Sequence, residues 1–242
     1  ERGCDYSGPR RDFPICITIA AHVTHAAGVA YAIKLKREPR VAVCALGDGA
    51  TSKGDFYEGL NAAGTWKLPV VFIVNDNQWA ISVPRSRQSA AQTLAQKAIA
   101  AGIEGTQVDG NDVIAVRNAM DLALAKARSG GGPTLIEALT YRLSDHTTAD
   151  DASRYRSPDE LAAAWKLEPV LRLRTYLVEN GAWDKAKEDA LLKECNEQVQ
   201  AAAQAYLDTP PPTAEQMFDH LYATLPAALQ KQRAAALGEK DN

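Results

Sequence analysis

Gly47-Asp48-Gly49 and, after a helix-length interval, Asn75-Asp76-Asn77 set a carboxylate and a carboxamide on two polar loop tips. Each tip follows an apolar, strand-like run, residues 41–46 and 70–74, and residues 56–67 between them read as a short helix. In a strand–helix–strand crossover the strands lie parallel, so both tips emerge at the carboxyl edge of one sheet, where open α/β sheets bind ligands. That pairing suits a hard cation holding a phosphorylated ligand. Magnesium prefers an octahedron of oxygens and relies on few carboxylates plus phosphate oxygens. Asp48 and Asn77 can each supply one oxygen, and the backbone carbonyl of Trp79 another if the chain turns there. Diphosphate oxygens and a water would complete the shell. Amides at Gly49 and Ala50 can donate to the same diphosphate, and glycine at 49 keeps that approach free of a side chain. Either tripeptide alone is an ordinary turn; their equivalent placement in one unit singles them out.

The surrounding elements must bring these tips together. Residues 15–19 read as the first strand, and residues 22–36, rich in small side chains (Ala26, Ala27, Gly28, Ala30, Ala32), as a closely packed helix. A helix at 92–102 and a short strand at 105–108 follow. Asp112 can cap a helix reaching about Ser129, with Val113, Val116, Met120, Leu124 and Ala127 as its buried stripe. The turn Gly130-Gly131-Gly132-Pro133 then launches a strand at 134–139. This alternation predicts an α/β fold with a doubly wound, mainly parallel sheet.

The character changes after Leu139. Residues 140–156 are polar and aperiodic, long for a loop, and long loops tend to be functional or mobile. Ser157-Pro158-Asp159-Glu160 reads as a helix start, with Ser157 as cap and Glu160 closing a capping box. Helical sequence follows, with an amphipathic stripe at Leu191, Cys195, Val199, Ala202 and Tyr206, a Pro210-Pro211-Pro212 break and a second capping pattern at 213–216. The expected division is an α/β domain over 1–160 and a helical extension over 161–242.

A formal charge of −3 leaves no electrostatic footprint for nucleic acid, and no apolar run approaches a membrane span. The four cysteines, Cys4, Cys16, Cys44 and Cys195, have no metal-site spacing. Cys16 and Cys44 fall in expected strands, where a reduced thiol is a small hydrophobe, and a reducing compartment follows. The start, Glu1-Arg2-Gly3-Cys4, has neither an initiator methionine nor a signal-peptide pattern, and reads as processed or truncated.

Gly47-Asp48-Gly49, the stretch through Trp66-Lys67-Leu68-Pro69 and Asn75-Asp76-Asn77 together resemble the thiamine-diphosphate fold motif. The run from Gly47 through Ala50-Thr51-Ser52-Lys53-Gly54-Asp55-Phe56-Tyr57-Glu58-Gly59 resembles the alpha subunit of the decarboxylating component of 2-oxo acid dehydrogenase complexes. Tyr141-Arg142-Leu143-Ser144-Asp145-His146-Thr147-Thr148-Ala149-Asp150-Asp151, continuing to Tyr155-Arg156-Ser157, resembles that subunit's active-site loop and is the more specific of the motifs. The likeness extends from about Ile15 into the C-terminal helices and is greatest to the pyruvate type.

The resemblance implies thiamine diphosphate and magnesium as cofactors. Asp48, Asn77 and the Trp79 carbonyl would ligate the metal; Gly49 and Ala50 would touch the diphosphate, Arg142 would neutralise it, and Gly47 would be among the cofactor-binding residues. Ile19 falls near the residue that wedges the cofactor into its bent shape. His146 would face the reacting carbon and help steer acyl transfer. Ser144, Thr147 and Ser157 fall in or beside a segment that some relatives phosphorylate. Implied partners are a beta subunit in an α2β2 heterotetramer, a lipoyl acyltransferase component and a 2-oxo acid substrate. Because the beta subunit carries the carboxylate that activates the cofactor's pyrimidine, this chain would hold half an active site. The location would be the cytoplasm in a bacterium or the mitochondrial matrix in a eukaryote. Three features depart from the family pattern: His22 in place of glutamine, Trp79 in place of tyrosine or phenylalanine, and a missing N-terminal stretch. A branched-chain 2-oxo acid dehydrogenase, or a non-catalytic scaffold of the same fold, are the alternatives.

Overall fold

In the computed structural model, which describes residue 13 and residues 16–220 and 222–238, the chain divides after Trp183. The first unit, Cys16–Trp183, contains the sheet. Its elements are α1 (Ala21–Leu35), β1 (Ala42–Gly47), a 3-10 turn (Asp48–Ser52), α2 (Gly54–Thr65), β2 (Val70–Asp76), β3 (Trp79–Ala80) and β4 (Val83–Pro84). There follow α3 (Lys97–Ala100), β5 (Glu104–Asp109), α4 (Val113–Arg128), β6 (Thr134–Leu139), α5 (Pro158–Trp165) and α6 (Pro169–Glu179). Helices α5 and α6 thus belong to this unit, whereas the sequence reading ended the α/β portion at residue 160.

Four strands pair in the order β1-β2-β6-β5, every pair parallel, while β3 and β4 form a separate antiparallel hairpin. The central strands β2 and β6 are near-continuous apolar runs because helices cover both faces. Alternation along β2 divides the core. Val70, Phe72 and Val74 join α1 and α2 on one face, and Val71 joins Ile136 and Ala123 of α4 on the other. The sheet is therefore α/β and doubly wound, as the alternation of elements predicts.

Asp112 caps α4, its Oδ1 accepting from the amides of Ile114 at 3.0 Å and Ala115 at 3.1 Å. The expected stripe on α4 faces the core from Val116 on: Met120 and Leu124 pack against the cluster around Val71 and Ile136, Ala127 is buried with Ala123, and only Val113, in the first turn, is exposed. Ser157 caps α5 with Pro158 in its first turn, but Glu160 does not close a box; it hydrogen-bonds to Tyr141.

Two expected elements differ. Among residues 15–19, Ile15 lies outside the described residues, and 16–19 form a bend and turn rather than a strand. Ala20, with φ of 68°, turns the chain directly into α1, and Cys16 is therefore not a strand residue. Residues 92–102 contain only the four-residue α3, because the Ala95 amide donates to the Glu137 carboxylate at 2.9 Å rather than to a helix ladder. Elsewhere, Cys44 sits in β1 with burial pushing its thiol up to about 12, the inert form expected of a core cysteine.

The second unit, which includes Asp184–Asn242, is helical over its described part: α7 (Lys185–Asp208), α8 (Gln216–Asp219) and α9 (Ala227–Ala236). Asp184 caps α7 by accepting from the Lys187 amide at 2.9 Å. The stripe at Leu191, Val199 and Tyr206 exists as a helical pattern but lies exposed, since α7 has no buried residue. Periodicity specifies a face, not what covers it.

Close approach of α1 and α2 needs Gly59, where a Cβ would meet the Val23 side chain at 2.8 Å and its backbone carbonyl at 3.1 Å. Gly59→Ala should destabilise the chain by roughly 1–3 kcal/mol through overpacking, read as a lower urea midpoint. An unchanged midpoint would contradict this packing.

Candidate functional site

Parallel register brings the carboxyl ends of the strands level. Gly47 pairs with Asn75, Asn75 with Ala138, and Leu139 with both Asp76 and Asp109. The chain after β6 continues beside the β2 tip: the Thr140 amide donates to Asp76 O at 2.9 Å, and the Arg142 amide to Asn77 O at 3.0 Å. Arg142 is thereby placed beside Asn77 although 65 residues separate them in sequence.

At the first tip Asp48 is 2% exposed. Its Oδ2 accepts from Gln88 Nε2 at 2.8 Å, and its backbone carbonyl accepts from the Thr51 hydroxyl at 2.7 Å. Lys97, buried under this turn, donates to Thr51 O at 2.7 Å and Thr51 Oγ1 at 2.9 Å and lies near the rings of Phe56 and Tyr57. Burial, and secondarily the charge of Arg85, lowers its pKa. A Cβ at Gly49 would meet the Ala80 methyl at 2.8 Å. Glycine here lets the turn approach the β3–β4 hairpin.

The second tip is built on a buried carboxylate pair. Asp76 and Glu137, each 1% exposed, share a hydrogen bond, and Asp76 also meets Arg85 Nε at 3.3 Å. Burial above all, then Glu137 and the charge of nearby Asp48, pushes the Asp76 carboxyl up to about 6 against the pull of Arg85. Asn77 Oδ1 accepts from the Trp79 amide at 3.1 Å. Gln78 (φ 72°) and Ile81 (φ 54°) flank Trp79 and Ala80 in the left-handed region, unfavourable for residues with side chains. Such backbone costs on the order of 1–3 kcal/mol per residue and concentrates at ligand sites.

Arg142 closes the arrangement. Its Nη1 donates to the Trp79 carbonyl at 3.4 Å, and its Nη2 to Ile81 O at 2.8 Å and the Tyr155 hydroxyl at 2.7 Å. Its Nε is buried with no acceptor. The Tyr155 hydroxyl donates in turn to Asp150 Oδ2, which also accepts from the His146 amide at 2.8 Å. These two donors hold the Asp150 carboxyl below the usual carboxylate range. Asp151 caps the 3-10 turn Ala152–Arg154, so both acidic residues fix the loop. Buried Arg156 donates to the carbonyls of Arg142, Leu143 and Ser144 and lies 5.8 Å from the Tyr141 ring centroid.

The structure therefore gathers Asp48, Gly49, Asn77, Trp79 and Arg142 at one edge, with Ala50 buried beneath and Gly47 exposed at the strand end. Ile19, 58% exposed, sits on the turn before α1, whose first turn reaches the same edge through His22 Nε2 and Ala45 O, 3.1 Å apart. His146 is exposed and joined to the cluster only through Asp150 and Tyr155. Ser144, Thr147 and Ser157 are exposed too, with the Ser157 hydroxyl engaged as a cap. Sequence reasoning missed Gln88, Lys97 and Arg85, which carry no motif. Glu137 did leave a signal: a lone carboxylate inside an apolar strand.

The oxygen donors of Asp48, Asn77 and Trp79 match a hard cation, and a buried guanidinium N–H without an acceptor matches an anion beside it. Among the described residues no cluster of three His, Cys, Asp or Glu could hold a metal, so the set is a mixed one. Next to it, a cleft of about 550 Å³ is lined by residues including Gln78, Trp79, Arg85, Tyr141 and Glu160.

A doubly wound α/β sheet with polar loops gathered at its carboxyl edge is the class that this geometry defines. The family model described as dehydrogenase E1 component matches residues 6–215, and the chain belongs to that family. The chain is 46% identical over 220 residues to the 3-methyl-2-oxobutanoate dehydrogenase subunit alpha of Mycobacterium tuberculosis (strain CDC 1551 / Oshkosh), covering 91% of this chain and 60% of that protein. It is 44% identical over 217 residues to the pyruvate dehydrogenase E1 component subunit alpha of Staphylococcus aureus (strain Mu50 / ATCC 700699), covering 89% and 59%. The chain thus spans about 60% of the length of these relatives.

Arg156 secures the loop through carbonyls that methionine could not bond. Arg156→Met should raise the rate of proteolytic cleavage within residues 143–153 by on the order of tenfold, since local opening governs cleavage. Equal digestion of both proteins would show that the loop is held by other contacts.

Proposed function

We propose that this chain serves as the alpha subunit of a thiamine-diphosphate- and magnesium-dependent 2-oxo acid dehydrogenase, of the pyruvate type. The supporting observation is the buried Asp48 carboxylate at the same sheet edge as Asn77, the Trp79 carbonyl and the acceptor-less Nε of Arg142. Membership of the dehydrogenase E1 component family directs that donor set toward a magnesium-bound diphosphate. When bound, thiamine diphosphate supplies the nucleophilic carbon and the electron sink for decarboxylating a 2-oxo acid.

Asp48, Asn77 and the Trp79 carbonyl would hold the metal, and the guanidinium of Arg142 and the amides of Gly49 and Ala50 would meet the diphosphate. Gly47 ends the strand that presents this turn, and Ile19 would border the cofactor from the start of α1. Exposed His146 would accept or donate a proton as the acyl group passes to a lipoyl thiol. A beta subunit would supply the carboxylate at the cofactor's other end, and a lipoyl acyltransferase would receive the product. A branched-chain substrate is the second reading, favoured by the 46% identity to the mycobacterial subunit. Relative turnover of pyruvate and 3-methyl-2-oxobutanoate by the assembled enzyme distinguishes the two.

In the assembled protein, magnesium plus thiamine diphosphate should raise the melting temperature, because a ligand that binds only the native state stabilises it. Asp48→Ala should abolish that rise; a full rise in the variant would refute the metal assignment. His146→Ala should retain the rise yet lower turnover with lipoyl substrate by roughly 10²-fold or more, the usual size of a general acid–base contribution. Undiminished turnover would return His146 to a solvated loop position.

A further inference from the structure

Gln88 lies 40 residues from Asp48 in sequence, yet it contacts the Asp48 carboxylate directly. It follows the 3-10 turn Arg85–Arg87, where its amide donates to Arg85 O at 3.1 Å and its carbonyl accepts from Ser52 Oγ at 3.4 Å. Arg85 anchors this segment through Asp76 Oδ2 and the carbonyls of Ser89 and Ala91. Gln88 therefore extends from a backbone secured to both tips. Its Nε2 donates to Asp48 Oδ2 at 2.8 Å and to Val83 O at 3.0 Å, while its Oε1 is buried without a partner.

We propose that Gln88 is a positioning residue for the cation at Asp48: Nε2 holds one carboxylate oxygen, leaving the other to the metal, and Oε1 accepts a hydrogen bond from a metal-bound water. The inference rests on the magnesium reading above. The terminal torsion of an aspartate is broad, so a free Asp48 carboxylate would sample many orientations. A charge-assisted hydrogen bond to one oxygen narrows that range before metal arrives. The buried Oε1 needs a donor, because a buried acceptor left unpaired is unfavourable. Magnesium sheds its waters reluctantly, and a retained water has O–H groups to give. One side chain thus meets both needs of a half-hydrated dication: an aimed carboxylate and an acceptor for its water.

Removing a group that orients a metal ligand typically weakens metal affinity by roughly 10–100-fold. The test is a magnesium titration of thermal unfolding at saturating thiamine diphosphate, using the full-length chain assembled with its partner subunit. Gln88→Met keeps the bulk and loses both polar atoms, and Gln88→Asn withdraws the amide by one methylene. Both variants should need roughly 10–100-fold more magnesium for half of the melting-temperature rise. Loss of the amide donor to buried Asp48 should also lower the melting temperature without magnesium, so each variant's midpoint is read against its own magnesium-free value. An unmoved magnesium midpoint overturns the inference. So does an equal loss of melting temperature at every magnesium concentration, which would make Gln88 a support for the hairpin alone. If the parent itself shows no magnesium-dependent rise, the magnesium reading fails and takes this inference with it.

Discussion

Parallel pairing of β1, β2 and β6 in one register is the constraint on which the other features rest. Because Gly47, Asn75 and Ala138 lie side by side, the loops beyond them leave the sheet at one level. The chain after β6 then runs along the β2 tip, so the amides of Thr140 and Arg142 find acceptors at Asp76 and Asn77. A slip of one residue would reverse the facing of every side chain in the shifted strand. Burial of β2 and β6 on both faces makes such a slip costly, and the site inherits its geometry from the core.

The edge so formed carries more buried charge than an apolar core tolerates without compensation. Each charge has a specific answer. Asp48 takes an amide hydrogen from Gln88, and Asp76 pairs with Arg85 and shares a hydrogen bond with Glu137. Lys97 finds a carbonyl, a hydroxyl and two aromatic rings instead of a carboxylate. Removing one member of such a network leaves the others buried and unpaired, which is more damaging than losing a single bond. Two polar atoms at this edge, Gln88 Oε1 and Arg142 Nε, stay without partners. Together with the left-handed Gln78 and Ile81, they make this an edge where local rules are broken in concert, as expected of a site shaped for a ligand.

The loop between β6 and α5 shows how an aperiodic segment becomes ordered without helix or strand. Its side chains bond its own backbone: Asp145 accepts from the Ala152 amide, Asp150 from the His146 amide, and Arg156 gathers successive carbonyls. Trp79, Tyr141 and Tyr155 add ring packing, with Trp79 and Tyr155 5.4 Å apart, and the Trp79 indole N–H donates to the Tyr141 hydroxyl. Side-chain bonds therefore join the hairpin after β2 to the loop after β6, and the His146 backbone is tied to them through Asp150 and Tyr155.

Much of this protein was written locally. The apolar runs of β1, β2 and β6, the caps Asp112 and Ser157, the glycine turn after α4 and the two polar tips all follow from short-range pattern, because backbone hydrogen bonding and side-chain periodicity act over a few residues. The two tips are therefore identifiable as a pair from the sequence alone. What pattern could not decide was everything requiring distant chain to meet: Gln88 on Asp48, Lys97 under Thr51, Glu137 beside Asp76, Ala80 against Gly49. It also misplaced a strand at residues 16–19 and extended α3, since a left-handed Ala20 and a side chain from β6 override local preference there. Hydrogen bonds across tens of residues depend on how the sheet closes, and that is a property of the folded chain alone.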